Sequence, residues 1–196
     1  MLNNKFSKGL IFSCIAAIFW GLPQPLFFNE LNHVKTIEVV AHRGFWSFIF
    51  LFSLLILISN LYEFIEIFKS RKRIFILTIT AFLIAGNWAG FIYSVGQERV
   101  QDASMGYFIT PMISIILGYF FLNEKITKPK LVSVCLMFSG ILFLFINLNQ
   151  FPFLIIWIGT SWAIYGLLRK QVNVNPSIGL LYETFIILSL IHISEP

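Results

Sequence analysis

The stretch TIEVVAHRGFWSFIFLFSLLILIS, Thr36 to Ser59, decides the fold class of this chain. After Arg43 it contains only apolar residues, serine and glycine. A bilayer core about 30 Å thick needs roughly 20 predominantly apolar residues per helix. The stretch therefore predicts a transmembrane helix, and Glu38, His42 and Arg43 near its start are its unusual feature.

The same character extends along the whole chain. Of its 196 residues, 58% are hydrophobic and only 12% are charged, and the mean hydropathy is +0.83. Soluble domains carry about 25% charged residues, so the composition excludes that class. It predicts an all-α polytopic membrane protein that is embedded in a lipid bilayer.

Seven apolar runs predict seven transmembrane spans. They cover residues 9–30, 36–60, 74–97, 104–123, 130–148, 151–168 and 178–193. Eleven of the 14 Lys and Arg residues fall on one side of this arrangement, which by the positive-inside rule makes the N-terminus cytoplasmic. Topology thus explains the net charge of +5, and no nucleic-acid partner is predicted.

A weak internal repeat connects the first and sixth spans. The motif AIFWGL (17–22) resembles WAIYGL (162–167), and each is followed by a short polar segment and another apolar span. Five helices separate the copies, and an odd number inverts the second copy across the membrane.

Four motifs carry a family resemblance. They are AHRGFWSF (41–48), GNWAGFIYSV (86–95), ASMGYFITPMISIILGYFFLNEK (103–125) and YGLLRK (165–170). With these motifs the chain resembles the RarD branch of the EamA transporters, in the drug/metabolite transporter superfamily. The resemblance implies a location in the inner (plasma) membrane and the export or exchange of small metabolites or drugs. It also implies ten helices in two inverted five-helix repeats.

On this basis, residues 1–150 are expected to form the first five-helix repeat, and residues 151–196 the first two helices of the second. The chain is then expected to be about seven helices of a ten-helix protein. A complete seven-span protein remains the alternative. A homodimer also stays open.

Arg43 is the first candidate for a functional residue. It lies about 10 Å into its span at 1.5 Å per residue, and a charge near the bilayer centre costs ~2.5 to 3.5 kcal/mol. One interpretation is an arginine whose side chain extends to the headgroups. The other places Arg43 in a central cavity, where its fork of donors binds a polar or anionic substrate group, with Glu38 and His42 orienting it.

Other polar and aromatic residues within the spans are further cavity candidates. Pro111 frees a backbone carbonyl, which at membrane depth must be satisfied by protein or water. Each candidate has a structural alternative, namely helix packing or a position near the membrane surface. The complete set of predicted substrate-cavity residues is Trp20, Gln24, His42, Arg43, Asn87, Tyr107, Pro111, Ser114 and Glu183.

Several function classes lack their signatures. The sequence contains no G-x-x-x-x-G-K-[ST] phosphate loop and no H-E-x-x-H motif. Its two cysteines, Cys14 and Cys135, lie in apolar runs. We therefore predict no catalytic residues, no metal and no cofactor. The predicted function is a secondary-active transporter of a small-molecule substrate, with a non-transporting membrane scaffold or partner-binding protein as the alternative.

Overall fold

The computed structural model describes residues 2–57, 61–146 and 152–194, and the side chains of residues 6–57, 61–146 and 152–189. All regular secondary structure in these ranges is helical, which confirms the predicted all-α class. The helices are α1 (Leu2–Gly21), α2 (Pro23–Glu30), α3 (Thr36–Leu57), α4 (Leu61–Ile67), α5 (Arg71–Gly96), α6 (Val100–Leu122), α7 (Lys128–Ile146), α8 (Phe153–Val172) and α9 (Pro176–Ser194).

Five of these segments are long and apolar enough to cross a membrane. They are α1 joined to α2 (Phe6–Glu30), α3, α5, α6 and α7. The helix α9 contains a shorter apolar stretch, and α8 carries two basic residues in its last turn. The seven predicted spans correspond to these five segments together with α8 and α9. The predicted positions 58–60, 147–148 and 151 lie outside the described residues.

Two short helices, α2 and α4, accompany the long ones. The first span breaks at Leu22, and α2 starts with Pro23 and contains Pro25. Proline is tolerated in a first helical turn, where N–H groups have no intrahelical acceptor. The short helix α4 was not predicted, since only the apolar run of α3 was interpreted there.

The helix α5 lies at the centre of the bundle, against α2, α3, α6, α8 and α9. The closest packing joins α6 to α8, where glycine removes the side chain from both surfaces. A β-carbon on Gly106 would lie 2.8 Å from Cβ of Ile158, and one on Gly159 would lie 2.7 Å from the carbonyl oxygen of Gly106. These two glycines therefore allow the backbones to approach closely.

Opposite chain directions give the bundle two distinct ends. The segments that begin α5 and α9 and end α6 and α8 lie together. We call this the basic end, and its basic residues include Lys69, Arg71, Lys72, Arg73, Lys125, Arg169 and Lys170. There Lys170 of α8 bonds Glu124, which follows α6. The start of α3 and the end of α5 lie at the opposite end.

Candidate functional site

A cavity of about 790 Å³ lies between the α1–α2 segment and α3, near the end of the bundle opposite the basic end. Three predicted site residues line it, Gln24, His42 and Arg43. Most of its other lining is apolar and includes Phe27 and Trp46. We call this the arginine cavity, and its volume is in the range of small-molecule sites.

Aromatic rings hold the guanidinium of Arg43. Its Cζ lies 4.2 Å from the ring centroid of Trp88 and 5.7 Å from that of Phe28. Within the described side chains, no ion pair joins Arg43 to Glu38 or to any other carboxylate, and the groups seen to contact its guanidinium are the two rings. An orienting role of Glu38 and His42 stays a prediction. A guanidinium has five N–H donors, so two ring contacts leave donors available to a ligand.

Asn87 connects three helices and is fully buried. Its Nδ2 donates hydrogen bonds to the carbonyl oxygen of Ile158 (2.9 Å) and to Oγ of Ser161 (3.0 Å), both on α8. Its Oδ1 accepts a bond of 3.0 Å from the hydroxyl of Tyr107 on α6. Asn87 does not line the arginine cavity, and its role in this structure is to join α5, α6 and α8.

A row of aromatic rings runs from the cavity into the bundle. Phe28, which contacts Arg43, has its ring centroid 6.0 Å from that of Phe91, and Phe91 lies 6.0 Å from Tyr107. The ring of Trp20 lies 5.8 Å from both Tyr107 and Trp162. Trp162 stacks on Tyr165 at 5.2 Å. We call this row the aromatic chain: Phe28, Phe91, Tyr107, Trp20, Trp162 and Tyr165.

Glu183 lies at the far end of the aromatic chain, in the half of the bundle nearer the basic end, and its exposed fraction is 0%. Its carboxylate accepts hydrogen bonds from Oγ1 of Thr80 (2.7 Å) and from the hydroxyl of Tyr165 (3.1 Å). Nε of Arg169 lies 3.7 Å from the same carboxylate. We call these four residues the glutamate network. Glu183 is paired, as expected for a carboxylate within a span.

The structure does not bring all predicted residues together. Pro111 and Ser114 on α6 are exposed, and neither lines the arginine cavity. Trp20 lies beside the cavity, in the aromatic chain, and Glu183 belongs to the separate glutamate network. The described structure therefore places only part of the predicted set in the arginine cavity, and it separates that part from the buried network of Glu183.

Several residues of this arrangement were not predicted as site residues. Trp88 and Arg169 are two of them. The repeat motif WAIYGL contains both Trp162 and Tyr165, so the alignment of this motif with AIFWGL, which contains Trp20, was the available signal. Thr80 gave no signal, since a single threonine in a span is common and its partner is 103 residues away along the chain.

The helices, the intramembrane arginine and the buried glutamate define a polytopic membrane protein with polar groups inside its bundle. The profile of the EamA-like transporter family matches residues 7–146. The chain belongs to this family, which confirms the predicted resemblance.

Curated relatives extend the match to most of the chain. Protein RarD of Salmonella typhi is 33% identical over 177 residues, which cover 90% of this chain and 60% of that protein. An uncharacterized transporter of Vibrio cholerae is 33% identical over 181 residues, covering 92% and 60%. The transporter YojE of Bacillus subtilis is 30% identical over 193 residues, covering 97% and 64%. The chain thus spans about 60% of the length of these relatives. No solved structure matches the chain.

Proposed function

We propose that this chain is part of a secondary-active carrier that exports or exchanges small metabolites or drugs. The observation that carries the proposal is Arg43, which lines a cavity of about 790 Å³ and has ring contacts but no carboxylate partner among the described residues. A charge inside a membrane protein is costly and usually marks a substrate or ion pathway. A bound anionic or strongly polar group would supply the partner that Arg43 lacks.

The proposal extends to architecture and orientation. Residues 1–150 form the first inverted repeat, and residues 151–196 begin the second. The antiparallel course of α3 and α9, where Phe48 lies 6.3 Å from Phe185, is compatible with inverted copies. The basic end faces the cytoplasm of a cell whose inner membrane holds the protein. The arginine cavity then lies in the outer half of the bilayer.

A flux experiment that needs no named substrate tests the carrier. Vesicles containing the full-length protein are loaded with a ¹⁴C-labelled bacterial metabolite extract, and release of label is compared with that from protein-free vesicles. Hydrogen bonds to charged groups contribute about 1.5–3 kcal/mol, so Arg43→Ala should reduce release by ~10-fold or more. Arg43→Lys should also impair it, because lysine keeps the charge but lacks the planar fork.

Arg99→Ala is the matched control. Arg99 is an exposed arginine at the same end of the bundle and pairs with Asp102, so its loss should leave release unchanged. Equal membrane abundance of all variants must be verified. Normal release in both Arg43 variants would remove Arg43 from the site. No release above protein-free vesicles would favour the scaffold alternative.

Thiol labelling tests the cavity independently of transport. In a background with Cys14 and Cys135 replaced by serine, Ser47→Cys places a thiol on the cavity lining. An anionic methanethiosulfonate should react with it faster than a cationic one, since Arg43 attracts anions. Adding Arg43→Gln should abolish this preference. Ser139→Cys on the exposed face of α7 should show no Arg43-dependent preference, and an unreactive Ser47→Cys would contradict a water-filled cavity.

A further inference from the structure

Glu183 combines complete burial with an incomplete set of charged contacts. It is the eighth residue of α9, about 10 Å from the start of the helix. An ionised carboxylate at such a position requires a strongly bonded cation. The nearest, Arg169, places its Nε 3.7 Å away, which exceeds ordinary hydrogen-bond length.

The other two nitrogens of Arg169 form no hydrogen bond with the Glu183 carboxylate in the described structure. Its Nη2 donates to the carbonyl oxygens of Pro176 (3.1 Å) and Asn175 (3.5 Å), in the segment between α8 and α9. Its Nη1 is buried without a hydrogen-bond partner among the described residues. Arg169 therefore neutralises Glu183 only in part, and part of its bonding capacity goes to the backbone.

The hydroxyl of Thr80 lies within hydrogen-bond distance of two acceptors but has one proton to donate. Its Oγ1 lies 2.7 Å from Oε1 of Glu183 and 2.9 Å from the carbonyl oxygen of Leu77. A hydroxyl donates one hydrogen and accepts through two lone pairs. When Thr80 donates to Glu183, Leu77 loses this donor. When Thr80 donates to Leu77, the contact at 2.7 Å is a hydrogen bond only if Glu183 is protonated and donates.

Among the described side chains, no further ionisable group contacts this carboxylate. From α8, Tyr165 and Arg169 face the carboxylate, and from α5 only Thr80 does. Within α9, the hydroxyl of Tyr182 is 3.2 Å from Thr78 instead. The side chains of α3 and α4 in the adjoining cluster are apolar or aromatic, including Leu55 and Phe64.

We propose that Glu183 is a reversible proton-binding site with two hydrogen-bonded states. In the ionised state, Thr80 and Tyr165 donate to the carboxylate, and Arg169 is its countercharge. In the protonated state, Oε1 of Glu183 carries the proton and donates to Thr80, and Thr80 donates to Leu77. The proton comes from water at the basic end and returns there, and uptake changes the charge of the Glu183–Arg169 pair from zero to +1.

The site also connects to the arginine cavity. Tyr165 donates to Glu183, and its ring stacks on Trp162 in the aromatic chain. Protonation weakens the bond from Tyr165, because a neutral carboxyl group is a poorer acceptor than a carboxylate. A change at Glu183 thereby acts on rings that contact Trp20 and Tyr107. Given the proposed carrier function, protonation of Glu183 from the basic end would make flux depend on the pH on that side of the membrane.

Infrared difference spectroscopy tests the proton site directly. Full-length protein in lipid nanodiscs is stepped from alkaline to acidic pH, and the carbonyl stretch of a protonated carboxyl group is recorded. The wild type should show a band that shifts in D₂O and is absent from Glu183→Gln. Glu124→Gln removes an exposed carboxylate at the same end and should keep the band.

A second pair of variants covers the case in which Glu183→Gln does not fold. Thr80→Val removes the hydroxyl and should shift both the frequency and the titration midpoint of the band, whereas Thr80→Ser should retain both. A pH series without a Glu183-dependent band, or a band unchanged in Thr80→Val, would overturn the proposal. Flux without the band would leave the carrier standing and remove the proton site. The band without flux would support the proton site and contradict the carrier function.

Discussion

The hydroxyl of Tyr107 on α6 donates a hydrogen bond of 3.0 Å to Oδ1 of Asn87 on α5. The same asparagine donates from Nδ2 to α8. One buried side chain therefore fixes three helices and also orients the ring of Tyr107, which lies at right angles to that of Trp162. Helix packing and the geometry of the aromatic chain depend on the same residue.

Replacing Asn87 should weaken the bundle. Asn87→Ala removes three interhelical hydrogen bonds, and such bonds in membrane proteins average about 0.6 kcal/mol each, reaching ~1.7. We expect a loss of roughly 1–3 kcal/mol in the free energy of unfolding, measured in mixed micelles. Ser139→Ala is the control, since the described structure shows its hydroxyl bonded to the carbonyl of Cys135 in its own helix. Equal stability of the two variants would show that the Asn87 bonds contribute nothing.

The contact between α6 and α8 should not tolerate a methyl group. In Gly159→Ala the new β-carbon would lie 2.7 Å from the carbonyl oxygen of Gly106, a backbone atom that moves only with its helix. Overpacking of this kind costs about 1–3 kcal/mol, which thermal unfolding would detect. Gly140→Ala on α7 meets no atom within 4 Å and should be neutral or slightly stabilising.

Replacing Trp88 should reduce transport, because its ring contacts Arg43. Trp88→Leu removes the ring at 4.2 Å from the guanidinium, and a cation–π contact contributes ~0.5–2 kcal/mol. Release of labelled metabolites at low concentration should therefore fall about 2- to 30-fold, with Trp88→Phe intermediate. Phe82→Leu, at an exposed position on α5, should change nothing. If Trp88→Leu releases label like the wild type, the ring does not position Arg43.

The Glu124–Lys170 bridge should show a pH dependence at the basic end. The hydrogen bond from Lys170 lowers the pKa of the Glu124 carboxyl, and the nearby charges of Lys170 and Lys130 act in the same direction. Because the pKa is lower in the folded state, the bridge stabilises the fold above the unfolded pKa. That contribution is lost as the pH falls through the folded pKa.

In Lys170→Gln, the unfolding temperature should fall slightly near neutral pH and approach that of the wild type in acid. The effect should be small, because the bridge is exposed and screened by solvent. Lys125→Gln keeps the bridge and serves as the control. A Lys170→Gln deficit that persists unchanged in acid would mean that the bridge to Glu124 is not its source.

The sequence by itself determined the class of protein and most helix positions. Apolar runs of sufficient length have few alternatives to transmembrane helices, because the bilayer interior leaves no partner for unpaired backbone groups. The helix α4 was missed, because seven residues between two spans carry no comparable length signal.

Only the tertiary structure decided which polar residues meet. The apolar runs fix each helix but not its rotation or its neighbours, and these depend on contacts such as Gly106 with Gly159. Arg43 could be recognised as unusual, yet its partner Trp88 is 45 positions away along the chain. Glu183 could be expected to need a partner, but the choice of Thr80, Tyr165 and Arg169 follows from the packing of α5 and α8 around it. Side chains far apart in sequence are brought together by helix packing, and a single sequence carries no direct record of that packing.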